Sequence, residues 1–171
     1  MRTALLAAAI LSLACTSPAL AAPGAGTPAA AVGAEAPVPL GQLTDAVSPA
    51  AYRLDLTVDP AQERFSGHVE IDTTLKAASK FVDLHGRDLA VRKAVAIVGG
   101  KSHAGSWTVL DRTGVARLTF AEPLPAGPVT FAFDYDAPFE SSPAGMFRVK
   151  VGDDWYSWTQ FESIDARAAF P

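Results

Sequence analysis

The chain has 171 residues, a formal net charge of −4 and one cysteine, with 49% hydrophobic and 19% charged residues. A chain of this length fits one ordinary domain with enough apolar material for a core. Because the chain is net acidic and has no basic run, it lacks the positive surface of a nucleic-acid-binding protein. We therefore expect no nucleic-acid partner.

The N-terminus has the organisation of a secretory signal peptide. Arg2 precedes an apolar stretch of 11 residues, Ala4–Ala14, and Ala19-Leu20-Ala21 supplies small residues where a signal peptidase cleaves. A stretch of that length suits a signal-peptide core and falls short of the roughly 20 residues needed to cross a bilayer. We therefore predict a signal peptide over residues 1–21, export to the periplasm or the exterior, and no stable membrane span.

Removal of the signal peptide also removes the cysteine. The remaining 150 residues hold 13 basic and 18 acidic side chains, a net charge of −5, and no cysteine. Such a chain can form neither a disulfide scaffold nor a cysteine-ligated metal site. Lipidation at Cys15 is the less favoured alternative, because Ser12 stands where a lipoprotein signal has a branched apolar residue.

A stretch rich in Ala, Gly and Pro follows the leader. It shows neither the period of a strand nor that of a helix, and its prolines remove backbone hydrogen-bond donors. We predict a flexible linker over residues 22–44 and a folded domain over residues 45–171.

From Tyr52 onward apolar and polar residues alternate. The first run places Tyr52, Leu54, Leu56 and Val58 on one face, and the second places Phe65, Gly67, Val69, Ile71, Thr73 and Leu75 on one face. Period-two alternation rich in β-branched and aromatic residues is typical of half-buried antiparallel strands. The pattern predicts nine strands, over residues 52–58, 65–75, 81–84, 89–98, 107–110, 115–120, 129–135, 147–151 and 155–161. We expect an all-β fold, an antiparallel β-sandwich or saddle, in which only Ser163–Phe170 could form a helical turn.

Turn residues separate these runs. Asp111–Gly114 predicts a hairpin, because glycine can take the positive φ that tight turns require. Gly99-Gly100-Lys101-Ser102 lacks the spaced first glycine and the helix of a phosphate-binding loop, so we predict a hairpin connection there as well. The acidic pairs Asp134/Asp136 and Asp153/Asp154 are expected at strand ends, in solvated turns.

The sequence contains no HExxH motif and no local cluster of histidines that would bind zinc. His68-Val69-Glu70 lies on the polar face of a predicted strand, which favours a solvated surface over a set of metal ligands. We expect His85 to end a strand and make a hydrogen bond, and His103 to lie exposed in a Gly/Ser loop. We therefore predict neither a metal site nor a catalytic residue in this chain.

The most informative segment is Asp153–Phe161, which concentrates aromatic residues beside Gln160 and Glu162. These two residues stand at i and i+2, so they share a face if the strand is regular. A carboxylate beside an amide oxygen could hold a primary ammonium through charge-assisted hydrogen bonds. A strand end at which Glu162 pairs with a nearby arginine explains the same residues equally well.

The stretch Thr159-Gln160-Phe161-Glu162, followed by Asp165-Ala166-Arg167 and Ala169-Phe170-Pro171, resembles the N-terminal domain of the aminopeptidase N family, the gluzincin zinc aminopeptidases. Weaker matches are Tyr52–Leu56, Phe65–Gly67, Val69–Ile71, Asp83–His85, Leu124–Gly127, Phe133–Tyr135 and the GLYR-type element Gly145–Arg148. The resemblance covers about residues 45–171. It implies a saddle-shaped β-domain, which in this family precedes a thermolysin-like catalytic domain with GxMEN and HExxH motifs.

The resemblance also implies roles for two residues. Glu162 matches the glutamate that helps to bind the free α-amine of the substrate, and Gln160 matches the glutamine that lines the pocket for the first side chain. Zinc belongs to the catalytic domain, outside this segment, where it activates the attacking water. We therefore expect that this chain binds no cofactor, needs a catalytic domain as its partner, and is inactive alone.

We interpret the chain as the N-terminal fragment of an exported zinc aminopeptidase, a truncated product or an incomplete gene model. An isolated copy should then expose an apolar patch near Trp155–Phe161. The alternative is a stand-alone periplasmic β-sandwich that binds a peptide or a protein without catalysis. A carbohydrate-binding sandwich is the weakest hypothesis, because Trp155 and Trp158 would face opposite sides of a regular strand.

Overall fold

The computed structural model describes residues 37–171, which form nine strands and one short 3-10 helix. The strands are β1 (Val47–Thr57), β2 (Arg64–Leu75), β3 (Ser79–His85), β4 (Ala90–Val98), β5 (Lys101–Val109), β6 (Val115–Leu124), β7 (Gly127–Pro138), β8 (Gly145–Val151) and β9 (Asp154–Gln160), and the 3-10 helix spans Asp165–Ala168. The predicted signal peptide and residues 22–36 of the predicted linker lie outside the described residues. Within residues 37–171 we find no helix long and apolar enough to cross a membrane.

The strands form two antiparallel sheets. Seven of them make one curled sheet in the order β1-β2-β7-β4-β5-β6-β3, and β8 and β9 make a separate two-stranded sheet. Short connections join β1 to β2, β4 to β5, β5 to β6 and β8 to β9, as antiparallel pairing allows, whereas the pairs β2–β7, β7–β4 and β6–β3 are not consecutive in the chain. The all-β prediction is confirmed, and the predicted helical turn within Ser163–Phe170 contains the 3-10 helix.

The core lies on the inner face of the curled sheet, where β2 and β7 form the central pair. All six residues of β2 that the alternation predicted to share a face are buried, and so are alternate residues of β7. Opposite positions bring large side chains together, as at Val69 with Phe133 and Ile71 with Phe131. Each such apolar side chain stabilises the fold by about 1.5–3 kcal/mol on burial.

Tyr135 joins this strand pair to the C-terminal segment. It lies opposite Gly67 in the register, and a Cβ added at Gly67 would overlap the Tyr135 ring. The absence of a side chain at Gly67 therefore gives the ring its place in the core. From there the Tyr135 hydroxyl donates a hydrogen bond of 2.7 Å to the carbonyl of Ala169, which is fully buried.

Strand β1 is less buried than its alternation predicts. Tyr52, Leu54 and Val58 are exposed, whereas Leu56 packs against the core. Within residues 37–171, β1 pairs only with β2 and forms an edge of the sheet, so its apolar face lies at the margin of the core. The prediction of a strand here is confirmed, but the shared apolar face that it implied is not buried at Tyr52, Leu54 and Val58.

Both predicted hairpins are present. Gly99 and Gly100 connect β4 to β5 with φ of 55° and 79°, which is the two-residue turn that glycine favours. Between β5 and β6, Oδ1 of Asp111 accepts hydrogen bonds from the backbone N–H groups of Thr113 (2.8 Å) and Val115 (3.1 Å). The side chain of Asp111 thus closes the turn that was predicted over Asp111–Gly114.

Two details of the sequence interpretation are wrong. Strand β5 begins at Lys101 rather than near Trp107, so His103 lies on a strand, although it is exposed as expected. The first half of β5 is exposed and polar, so it lacks the apolar alternation that predicts a strand. Its pairing with β4 supplies the backbone hydrogen bonds that make it one. Asp134 and Asp136 lie inside β7 rather than at strand ends, and they form ion pairs across the outer face of the sheet.

The two edge strands of the curled sheet are irregular and lie near each other. The register shifts between Pro49 and Ala51 in β1, and between Ser79 and Phe81 in β3. Residues from both edges line one mostly apolar cavity of about 230 Å³, with Phe131 among its lining residues. The curl of the sheet therefore places both edge strands beside one cavity.

His85 ends β3, and its Nε2 donates a hydrogen bond of 3.0 Å to the carbonyl of Gly41, as the strand-end interpretation predicts. Burial lowers the pKa of His85, and the positive charge of Arg167 lowers it further. The bond to Gly41 and the charge of Asp111 act in the opposite direction but are outweighed. The neutral imidazole is therefore the form that the fold prefers.

Replacing Tyr135 by Phe should lower the free energy of unfolding by about 1–3 kcal/mol, because the buried carbonyl of Ala169 would lose its partner. Urea denaturation of the two proteins measures the difference. Tyr52→Phe is the matched control, since the Tyr52 hydroxyl has no hydrogen bond within residues 37–171 and should change stability by less than about 0.5 kcal/mol. Equal effects of the two substitutions would contradict this role of the Tyr135 hydroxyl.

Acidification from about pH 7 to about pH 5 should destabilise the protein in part through His85. Because the folded pKa of His85 lies below its ordinary value of 6.5, the unfolded chain binds more protons in this window, and stability falls as the pH falls. His85→Gln should lose less in melting temperature over this range than the parent chain. His103→Gln, which alters an exposed histidine, should lose as much as the parent, and identical pH profiles for all three proteins would refute the assignment to His85.

Candidate functional site

The β8–β9 hairpin presents the aromatic segment that the sequence singled out. Its register runs from Gly145 opposite Gln160 to Val151 opposite Asp154. Residues directly opposite each other share a face. Trp158 therefore shares one face with Phe147, and Trp155 shares the other face with Lys150. The predicted separation of the two tryptophans is confirmed, which counts against a flat carbohydrate platform.

One face of the hairpin is held against the body of the domain by Arg148. Its guanidinium lies 4.3 Å from the ring centroid of Trp155 and 5.9 Å from that of Phe139. The same group donates hydrogen bonds to the carbonyls of Pro60 (3.1 Å) and Gln62, in the loop between β1 and β2. The planar guanidinium stacks and donates at the same time, and it thereby fixes the orientation of the hairpin.

The opposite face of the hairpin is apolar and exposed. Its groove of about 470 Å³ is lined by Phe147, Val149, Val151, Tyr156 and Trp158. The exposed fraction is 62% for Val151 and 61% for Trp158, well beyond that of a core side chain. The apolar patch expected near Trp155–Phe161 is present, and no residue within 37–171 covers it.

Gln160 and Glu162 are brought together by a hydrogen bond rather than by a shared strand face. Strand β9 ends at Gln160, so the regular strand on which the prediction depended does not reach Glu162. Instead, the Gln160 side-chain Oε1 accepts a hydrogen bond of 3.2 Å from the backbone N–H of Glu162. Both residues are exposed.

The carboxylate of Glu162 has no ion pair with any residue in 37–171. The arginines that could have neutralised it make other contacts: Arg87 binds Glu140 and Asp165, and Arg167 binds backbone carbonyls. The interpretation in which Glu162 pairs with a nearby arginine is therefore wrong. A carboxylate without a partner at an exposed turn is free to accept hydrogen bonds from a ligand.

The turn that carries Glu162 is closed on its C-terminal side. The backbone N–H of Asp165 donates 3.1 Å to the carbonyl of Phe161. Arg167 donates from Nε to Ile164 (2.9 Å) and from Nη1 to Thr113 (3.0 Å), both backbone carbonyls. The turn is therefore bonded within itself and to the loop between β5 and β6.

Arg87 forms a second connection between this turn and the body. Its guanidinium donates to Glu140 Oε1 (2.9 Å) and to Asp165 Oδ1 (3.2 Å), and its backbone N–H donates to the carbonyl of Arg167 (2.7 Å). Burial disfavours the charge of Arg87, but the carboxylates of Glu140 and Asp165 outweigh this and raise the pKa of Arg87. Sequence reasoning missed Arg87, because it lies in a turn where no periodic pattern marks its partners.

The histidine and glutamate that superficially resemble metal ligands lie elsewhere. His68 and Glu70 are on the outer face of the curled sheet, where Nδ1 of His68 lies 2.5 Å from Oδ1 of Asp134. Within residues 37–171, no three side chains of His, Cys, Asp or Glu lie close enough together to hold a metal ion. This part of the chain therefore does not fit a zinc site, and we derive no metal-dependent step from it.

Comparisons with known proteins show which family this chain resembles. The family model for the peptidase M1 N-terminal domain matches residues 48–171. Aminopeptidase M1-D of Oryza sativa subsp. japonica is 32% identical over 72% of this chain and 14% of the relative. The probable M1 family aminopeptidase 1 of Encephalitozoon cuniculi is 29% identical over 76% and 15%, and the puromycin-sensitive aminopeptidase of Caenorhabditis elegans is 26% identical over 80% and 15%.

The matched region is a small part of each relative. The chain spans 14% to 17% of the length of these curated aminopeptidases, whereas the family model covers most of the chain itself. The match includes β1 from its second residue, the β8–β9 hairpin and the turn that carries Glu162. The chain therefore belongs to the peptidase M1 family of aminopeptidases and represents its N-terminal domain.

Proposed function

We propose that residues 45–171 act as the N-terminal domain of a longer, exported zinc aminopeptidase that removes N-terminal amino acids from peptides. In this proposal Glu162 binds the α-ammonium of the substrate, and Gln160 lines the pocket for the first side chain. The observation that carries the proposal is the placement of Glu162. Glu162 is exposed and its carboxylate has no ion pair within residues 37–171, and its backbone N–H donates a hydrogen bond to the Gln160 side chain.

The chemistry of the two side chains supports these roles. A primary ammonium offers three donors, and a free carboxylate accepts them in short, charge-assisted hydrogen bonds. A peptide with a blocked N-terminus lacks that charge and would leave the Glu162 carboxylate desolvated without a partner. Because Oε1 of Gln160 is bonded to Glu162, the Gln160 NH₂ group remains available to donate toward a substrate.

The rest of the enzyme would supply the chemistry that these residues lack. The M1 relatives are several times longer than the matched region, so the zinc ligands and the general base belong to their remaining length in this proposal. We assign the apolar face of the β8–β9 hairpin to contact with that catalytic domain. Its exposed tryptophan, tyrosine and valines have the composition of an interdomain surface rather than of a solvated strand.

Export completes the proposal and rests on the charge and length pattern of residues 1–21. N-terminal sequencing of the chain secreted by a bacterial host supports export if the mature protein begins at Ala22. A full-length N-terminus in the cytoplasmic fraction would argue against it.

The stand-alone binding module remains the alternative, because the same apolar face could receive a peptide or a protein partner. The genomic DNA distinguishes the two. Reading past the Pro171 codon in all frames should reveal GxMEN and HExxH within roughly 200 residues, about one domain length, if a catalytic domain follows. A stop codon followed by unrelated sequence would favour the module.

Glu162→Ala, placed in the protein extended through its catalytic domain, should raise KM and lower kcat/KM for amino-acid anilides. We expect a loss equivalent to about 2–4 kcal/mol, or roughly 30-fold to 900-fold, because the substrate ammonium loses its counter-charge. Steady-state kinetics on a panel of amino-acid 4-nitroanilides measures the change. Glu122→Ala, which removes an exposed glutamate from β6, is the matched control and should leave the kinetics unchanged. Parent-like kinetics in Glu162→Ala would disprove the anchor.

The isolated chain should self-associate through the apolar face of the β8–β9 hairpin, because that face is exposed without its catalytic domain. Sedimentation over a range of concentrations should show a rising average mass. Trp158→Lys should shift the chain toward the monomer without unfolding it, since Trp158 is 61% exposed. Val109→Lys, at an exposed valine on β5, controls for added charge and should associate like the parent. A parent chain that is monomeric at every concentration would contradict this assignment.

A further inference from the structure

We infer that Arg87 is a positioning residue for Glu162, an inference that rests on the proposed role of Glu162 as the ammonium anchor. Arg87 lies in the loop after β3, 78 positions before Asp165, and it does not contact a substrate in this proposal. It acts through Asp165, which closes the turn from which the Glu162 carboxylate projects.

The first step is the convergence of separate segments on one side chain. The guanidinium of Arg87 joins Glu140, which follows β7, to Asp165, which opens the 3-10 helix. The side chains are 28%, 27% and 21% exposed for Arg87, Glu140 and Asp165, so the cluster is only partly hydrated. The Arg87 backbone N–H adds a bond of 2.7 Å to the carbonyl of Arg167.

The second step is the path from Asp165 to Glu162. The backbone N–H of Asp165 donates to the carbonyl of Phe161, the residue immediately before Glu162. On the other side, the Gln160 side chain accepts from the backbone N–H of Glu162. Because the Glu162 carboxylate has no partner in residues 37–171, its position is set by these backbone contacts and by what holds Asp165.

The third step is the electrostatic consequence of losing Arg87. The carboxylates of Glu140 and Asp165 lie on the two terminal nitrogens of one guanidinium, which separates and neutralises them. An apolar side chain at position 87 would release Asp165 from the ion pair that holds it. It would also leave two carboxylates without a counter-charge in a partly buried site, which lowers the stability of the fold. Lysine would restore the charge but not the fork that serves both carboxylates.

The structural arm of the test uses the 171-residue chain itself. Residue-resolved hydrogen exchange should show the amide of Asp165 exchanging at least about tenfold faster in Arg87→Met, with amides of β2 and β7 unchanged. Arg87→Lys should exchange at an intermediate rate. Arg53→Met is the matched control, since Arg53 binds two carboxylates, Glu70 and Asp72, on the outer face of the sheet. An unchanged rate at Asp165 in Arg87→Met overturns the inference.

The kinetic arm uses the protein extended through its catalytic domain. Arg87→Met should raise KM for an amino-acid 4-nitroanilide while kcat is largely retained, and Arg87→Lys should recover part of the loss. Added to Glu162→Ala, Arg87→Met should cause no further loss, because both act on one interaction. If Glu162→Ala raises KM and Arg87→Met does not, the inference fails and the proposed function stands. If neither substitution raises KM, the proposed function itself fails.

A third variant distinguishes two causes of a raised KM, namely a general loss of folding and a misplaced Glu162. Arg87→Met combined with Asp165→Asn removes the repulsion between the carboxylates and should fold as stably as the parent chain or nearly so. With the turn still lacking its ion pair, this variant should keep the raised KM. A KM restored to the parent value in the double variant would overturn the positioning role.

Discussion

The hydrogen bond from the Tyr135 hydroxyl to the Ala169 carbonyl is the buried contact that joins the core of this domain to its C-terminal segment. It connects the most buried strand pair, β2 and β7, to the segment that follows the candidate site. The bond exists only because Gly67 leaves room for the Tyr135 ring. The absence of a side chain at Gly67 therefore makes room for one of the contacts that attach the segment after Glu162, beside those made by Arg87 and Arg167.

The interactions that stabilise the fold differ from those that position its exposed segments. The inner face of the curled sheet is apolar and supplies most of the free energy of folding. At the margins, two arginines hold exposed segments in place: Arg148 bonds the loop before β2 and thereby orients the β8–β9 hairpin, and Arg87 binds Asp165 in the turn after β9. Partly buried ion pairs add little net stability, but they define geometry, because a guanidinium satisfies several acceptors in only one arrangement.

The same division explains what the sequence could predict. Strand β2 was predicted residue by residue, because one buried face imposes strict alternation on its side chains. The first half of β5 was missed, since an exposed strand needs no apolar face and its residues read as a loop. For Glu162, the family resemblance implies a role, whereas the local sequence pattern leaves two interpretations open. Arg87 was not predictable, because its partners lie 53 and 78 positions away and only the fold brings them together.

The irregular edges of the curled sheet have a consequence for how copies of this domain meet. A long, flat edge strand offers a template for pairing with another chain, and both edges here interrupt that template with a shift in register, at Pro49 in β1 and at Ser79 in β3. Proline at position 49 also removes a donor. Strand addition and fibre growth are thus discouraged at both borders of the large sheet. Within residues 37–171, the exposed apolar face of the β8–β9 hairpin belongs to a separate sheet, so association through that face does not depend on pairing at either edge strand.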